Sequence, residues 1–102
     1  MLAVLAISPA HAARFELMEA TISEINAAYE DGSLTAKRLV KLYLDRIEAY
    51  DRHGPEIRAL ITLNPNALEE AKALDKERRK QGPRSLLHGI PIIIKDNYDT
   101  AD

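Results

Sequence analysis

An α/β fold is predicted for this chain by the order of its elements and by a change of apolar pattern along them. In the first half, apolar residues recur at steps of three and four, which draws one stripe along a helix. Later, Ile57 to Leu63 makes a plausible strand, and Ile92-Ile93-Ile94, following Gly89 and Pro91, reads as a buried one. Breaks at Gly32, Gly54-Pro55 and Gly82-Pro83 separate the elements. The predicted order is helix, helix, strand, helix, strand, with no internal repeat and no low-complexity linker. With 102 residues the chain forms at most one small domain.

The first twelve residues are set apart from that fold. Leu2 to Ile7 is apolar, Ser8-Pro9 breaks the run, and Ala10-His11-Ala12 has the small-x-small form of a signal-peptidase site. Residues 1–12 are therefore expected to be a signal-peptide remnant, with a mature chain starting near Ala13 and a secreted or periplasmic protein. The n-region carries no charge and the apolar core is short, which leaves open a stray apolar tail and a cytoplasmic protein.

From Phe15, apolar residues at 15, 18, 22, 25 and 29 mark the first helix. Thr21-Ile22-Ser23-Glu24 has the capping-box form, so the firm helix is expected to start at Ile22 and to end at Asp31-Gly32. A second start at Thr35 leads into a helix from Ala36 to Arg52. Leu39, Tyr43, Ile47 and Tyr50 form its stripe, and Val40 and Leu44 widen it. Lys37, Lys41, Asp45, Arg46 and Glu48 fill the solvated side. His53 is expected at the negative end of the helix dipole.

After the strand at 57–63, Pro65 suits a first helical position, and Asn66 with Glu69 offers a cap pair. The third helix is expected over 67–80, with Ala67, Ala71 and Leu74 facing inward. Its basic end, Lys76 to Lys80, balances the helix dipole; without interleaved aromatics it is no nucleic-acid patch.

Composition narrows the function classes. A net charge of −2 supplies no electrostatic case for nucleic acid or an anionic membrane as partner. No stretch has the length of a bilayer span. With no cysteine there is neither a disulfide nor a thiolate metal site, and His11, His53 and His88 lack metal-ligand spacing. The sequence holds no G-x-G-x-x-G, no P-loop and no H-E-x-x-H, so no cofactor is expected.

The chemistry is concentrated near the end. The isoleucine run passes straight into Lys95, which shares a strand face with Ile93 and is expected at the edge of apolar surface. A lysine so placed is a candidate for a lowered pKa and for work as a base, unless the carboxylate of Asp96 turns toward it. Asp96 and Asn97 are candidates for orienting Lys95 or tying down the loop after the strand. His88, at the strand entrance, is expected to be structural.

The sequence His88-Gly89-Ile90-Pro91, three isoleucines, then Lys95-Asp96-Asn97 and Asp99-Thr100 resembles the start of the signature region of the amidase signature family of serine hydrolases. The resemblance is specific in the last dozen residues and weaker across the helices from Thr21. It implies that residues 13–102 are the N-terminal part of a single amidase domain, in which helices precede the first strands of a large mixed sheet. It also implies a Ser, cis-Ser, Lys triad acting by acyl transfer on a small-molecule or peptide amide, with Lys95 as the triad lysine. The serines of that family lie in a Gly/Ser-rich segment downstream of the lysine. Ser8, Ser23, Ser33 and Ser85 have no such surroundings, so the chain alone is expected to be inactive. Two other roles stay open: a non-catalytic helical interaction module or decayed gene product, and the amidase subunit of a transamidating complex.

Overall fold

The computed structural model describes residues 15–95, which contain three α-helices. These are α1 (Ile22–Asp31), α2 (Ala36–Ile47), which continues through a π-helical turn over Glu48–Arg52, and α3 (Ala67–Gln81). The expected signal segment and the residues Asp96 and Asn97 lie outside the described residues.

The ends of α1 and α2 follow from local chemistry. The Thr21 hydroxyl accepts the Glu24 N–H at 3.1 Å, and the Thr35 hydroxyl accepts that of Arg38 at the same distance. Gly32 closes α1 with φ of +82°, a left-handed conformation that glycine takes without a Cβ penalty. The Asp31 carboxylate then accepts the Ser33 N–H at 2.8 Å, and hydrogen bonding to Ser33, through its side chain first and then its backbone, holds the Asp31 carboxyl below its usual range.

A second cap on α2 is tertiary. The Asp75 carboxylate, projecting from α3, accepts the Ala36 N–H at 2.7 Å and the Lys37 N–H at 3.0 Å. It therefore places a negative charge at the positive end of the α2 dipole and fills two of the four donors that a helix start leaves unpaired. Ala36 and Ala71, both buried, keep the α2 and α3 backbones close enough for that reach.

The core gathers around Leu39, which is fully buried. Ile25, Ala28 and Tyr29 of α1, Leu34, Val40 of α2 and Ala71 of α3 surround it, and Phe15, Leu17, Tyr43, Leu44, Leu68 and Ile90 pack on its rim. Met18 and Ile22, expected on the α1 stripe, are exposed instead, because the stripe turns inward only from Ile25. Tyr50 is exposed as well, with the Arg46 guanidinium stacked 4.9 Å from its ring centre.

Several expectations are corrected. Among the described residues Ile57 to Leu63 forms no strand: Glu56 and Arg58 have φ of +52°, and Ile57 and Ile61 face solvent. Asp51 captures this segment on the last helical turn, its main-chain carbonyl accepting the Arg58 N–H and its carboxylate the Ala59 N–H. Ile92, Ile93 and Ile94 are exposed rather than buried. The physical reason is the same for both runs. A strand exists only through ladder bonds to a neighbour, and among the described residues neither run has one.

At the start of α3 Asn66 holds the N-cap position, as expected, but the side-chain bonds there are made by Asn64. Its side chain accepts the Asn66 N–H at 2.9 Å and donates to Glu70 at 2.7 Å, while Asn66 makes no side-chain cap bond. His53 pairs with Glu48 at 2.7 Å in solvent.

Candidate active-site segment

Residues 84–95 include Lys95 and the described part of its motif, and their first half is hydrogen-bonded to α1 and α3. The Asn26 amide of α1 donates to the Leu86 carbonyl at 2.8 Å. The Tyr29 hydroxyl, also from α1, donates to the Gly89 carbonyl at 2.5 Å. On α3, Glu77 grips the Arg84 guanidinium with both carboxylate oxygens, at 2.5 and 2.6 Å. That pairing holds the Glu77 carboxyl below its ordinary range and lifts Arg84 above its own.

His88 is structural, as expected, and buried. Its Nδ1 accepts the Arg84 N–H at 3.2 Å and its Nε2 lies 2.9 Å from the Leu74 carbonyl. A carbonyl can only accept, so this network assigns the proton to Nε2 and bridges the loop to α3.

Gly89 is the tightest point. Its φ is +75°, and a Cβ there would stand 3.0 Å from the Ala36 Cβ and 3.5 Å from the Tyr29 ring. Glycine is thus needed both for the conformation and for the close approach of loop to helix. Tyr29 is buried under this turn, with the Arg78 guanidinium 4.8 Å from its ring centre. Burial first, and then the Asp75 charge, push its phenol above the ordinary range and keep it a donor.

Beyond Ile90, which is half-buried, the chain leaves the helices and residues 91–95 are exposed. Lys95 sits in solvent rather than at an apolar edge, and among the described residues its ammonium makes no hydrogen bond or ion pair. Of the predicted site residues Lys95 alone is described; Asp96 and Asn97 lie outside the described residues. Sequence reading placed Tyr29 only on the apolar stripe and passed over Asp75 and Asn26, since nothing local to them signals a partner far along the chain. Among the described residues, no group of three His, Asp or Glu could hold a metal ion, and no helix is long and apolar enough to cross a membrane.

Comparison with known proteins places this arrangement. The family model for amidases matches residues 38–102. A probable amidase of Arabidopsis thaliana is 41% identical over 90 residues, covering 86% of this chain and 17% of its own. The A subunit of the glutamyl-tRNA(Gln) amidotransferase of Natranaerobius thermophilus is 39% identical over 88 residues, or 85% of this chain and 17% of its own. The crystal structure of native peptide amidase from Stenotrophomonas maltophilia superposes with a TM-score of 0.81 at 44% identity, over 86% of this chain and 18% of that one. The chain thus spans less than a fifth of the length of the relatives it matches.

Proposed function

The chain belongs to the amidase family, and on that premise we propose that it is the N-terminal part of a hydrolase that cleaves the carbon–nitrogen bond of linear carboxamides. Lys95 is the base of a serine, cis-serine, lysine relay. It takes a proton from a bridging serine, which takes one from the nucleophilic serine as that oxygen attacks the amide carbonyl. The leaving amine recovers the proton through the same relay, and water releases the acyl group. Asp96 and Asn97 orient the lysine.

One observation carries this reading. Lys95 stands in an unbroken Gly-Ile-Pro, triple-isoleucine, Lys-Asp-Asn sequence that lies wholly within the region matched to the family. Its surroundings support it. The exposed isoleucines at 57, 61 and 92–94 lie outside the helices, while the buried residues of α1, α2 and α3 share one core. This favours a place in a larger sheet over a docking module, with the run into Lys95 as one of its strands.

Among the described residues, no serine completes the relay. Ser23 is exposed in the first turn of α1, Ser33 caps a turn against the Ala28 carbonyl at 3.4 Å, and the Ser85 hydroxyl accepts the Leu87 N–H at 3.1 Å. The 102-residue chain and its Lys95→Ala variant are both expected to show no turnover of simple amides or esters. Lys95-dependent hydrolysis by the chain alone would overturn the assignment of the serines to another segment. In the complete enzyme, Lys95→Ala reduces hydrolysis to background.

Likeness to the amidotransferase subunit supports a second reading, the amidase subunit of a transamidating complex. Export separates the two. Ala10-His11-Ala12 supports a secreted or periplasmic enzyme, and N-terminal sequencing of the exported protein is expected to start at Ala13.

A further inference from the structure

We infer that Tyr29 and His88 are positioning residues for Lys95: together they clamp the peptide from His88 to Ile90 onto the helices and so set the direction in which the lysine-bearing segment leaves them. The inference rests on the reading of Lys95 given above.

Two kinds of contact could hold this loop, and the structure uses the directional kind. Apolar burial of Ile90 would keep the loop against the core, but apolar contact is non-directional and fixes no peptide plane. Hydrogen bonds do fix one. The Tyr29 hydroxyl holds the Gly89 carbonyl at 2.5 Å, while the His88 ring, only 1% exposed, is engaged at both nitrogens, by Arg84 and by Leu74. Gly89 lets the turn lie close to α1 and α2, since a Cβ there would stand 3.0 Å from the Ala36 methyl and 3.5 Å from the Tyr29 ring. Tyr29, His88 and Gly89 are buried, so a misaligned bond would leave a polar atom of theirs unpaired away from water.

What is fixed at Gly89 is carried forward. Pro91 has one narrow range of φ and holds Ile90 out of the helical region, so the link from clamp to strand is stiff. In the strand proposed above, Lys95 lies about 16 Å past Ile90, and a swing of ~10° at the clamp moves it by ~3 Å. A displacement of ~1 Å at a reacting group costs about 100-fold in rate.

The test is steady-state kinetics on the complete enzyme, with kcat expressed per titrated active site. Tyr29→Phe, which removes one oxygen, is expected to lower kcat about ten- to a hundred-fold with KM within about twofold. His88→Ala is expected to do the same, and His88→Gln to recover most of the loss, because its amide can still donate to the Leu74 carbonyl. A role limited to stability would change the number of active sites and leave kcat per site untouched. Unchanged kcat per site in Tyr29→Phe and His88→Ala, with Lys95→Ala inactive, would overturn the clamp alone. Full activity in Lys95→Ala would overturn the reading of the lysine and the clamp with it. Should His88→Ala fail to fold, Tyr29→Phe decides.

Discussion

Replacing Asp75 with alanine removes two hydrogen bonds from the start of a helix that Asp75 does not belong to. The two N–H groups it holds differ in their fate. That of Ala36 belongs to a residue 1% exposed and loses its partner into a dry site, at about 1–3 kcal/mol. That of Lys37 is on an exposed residue and turns to water, so the loss there is mostly the charge at the dipole, about 0.3–1 kcal/mol. Asp75→Ala should therefore cost about 1–4 kcal/mol, and Asp75→Asn, which keeps one oxygen for Ala36, about 0.3–1. Thr35→Ala, loss of the ordinary cap on the same helix, should cost only ~1 kcal/mol. The assay is urea unfolding followed by circular dichroism, paired with hydrogen exchange at the Ala36 and Lys37 amides. Faster exchange at both amides is expected in Asp75→Ala, with Ala36 the more affected. Stability within ~0.5 kcal/mol of the parent, or unchanged exchange at Ala36, would refute the tertiary cap.

Gly89→Ala should cost about 1–3 kcal/mol in the same unfolding assay, since it adds left-handed strain to a contact with Ala36 that is already closed. A neutral result would mean that the turn is free to shift. For the Glu77–Arg84 pair the sign is that of a lowered carboxyl pKa. Its contribution is present above the ordinary carboxyl value of 4.5 and is lost as pH falls through the lowered one. Carbon-detected NMR titration should show Glu77 protonating late in acid, and Arg84→Ala should return it to the ordinary range. Ile93, 79% exposed, is a liability at an unpaired edge. The chain should self-associate through this edge, and Ile93→Lys should raise the monomer fraction by size-exclusion chromatography; a fully monomeric parent chain would contradict this.

The sequence by itself determined what depends on near neighbours. The starts of α1 and α2 were legible because Thr21 reaches Glu24 and Thr35 reaches Arg38 within a single turn. Gly32 marked a stop for a reason internal to its own backbone. Lys95 was legible as a candidate because its motif is contiguous, and the family followed from the same residues. The tertiary structure decided whatever joins residues far apart in the chain. Asp75 on the start of α2, Tyr29 on Gly89 and His88 on Leu74 leave no periodic trace, because each partner is set by how helices pack. The strands show the same rule from the other side. Ile57 to Leu63 and Ile92 to Ile94 have the composition of strands, but a ladder needs a second strand to accept its hydrogen bonds. Among the described residues none stands beside them, and they remain exposed.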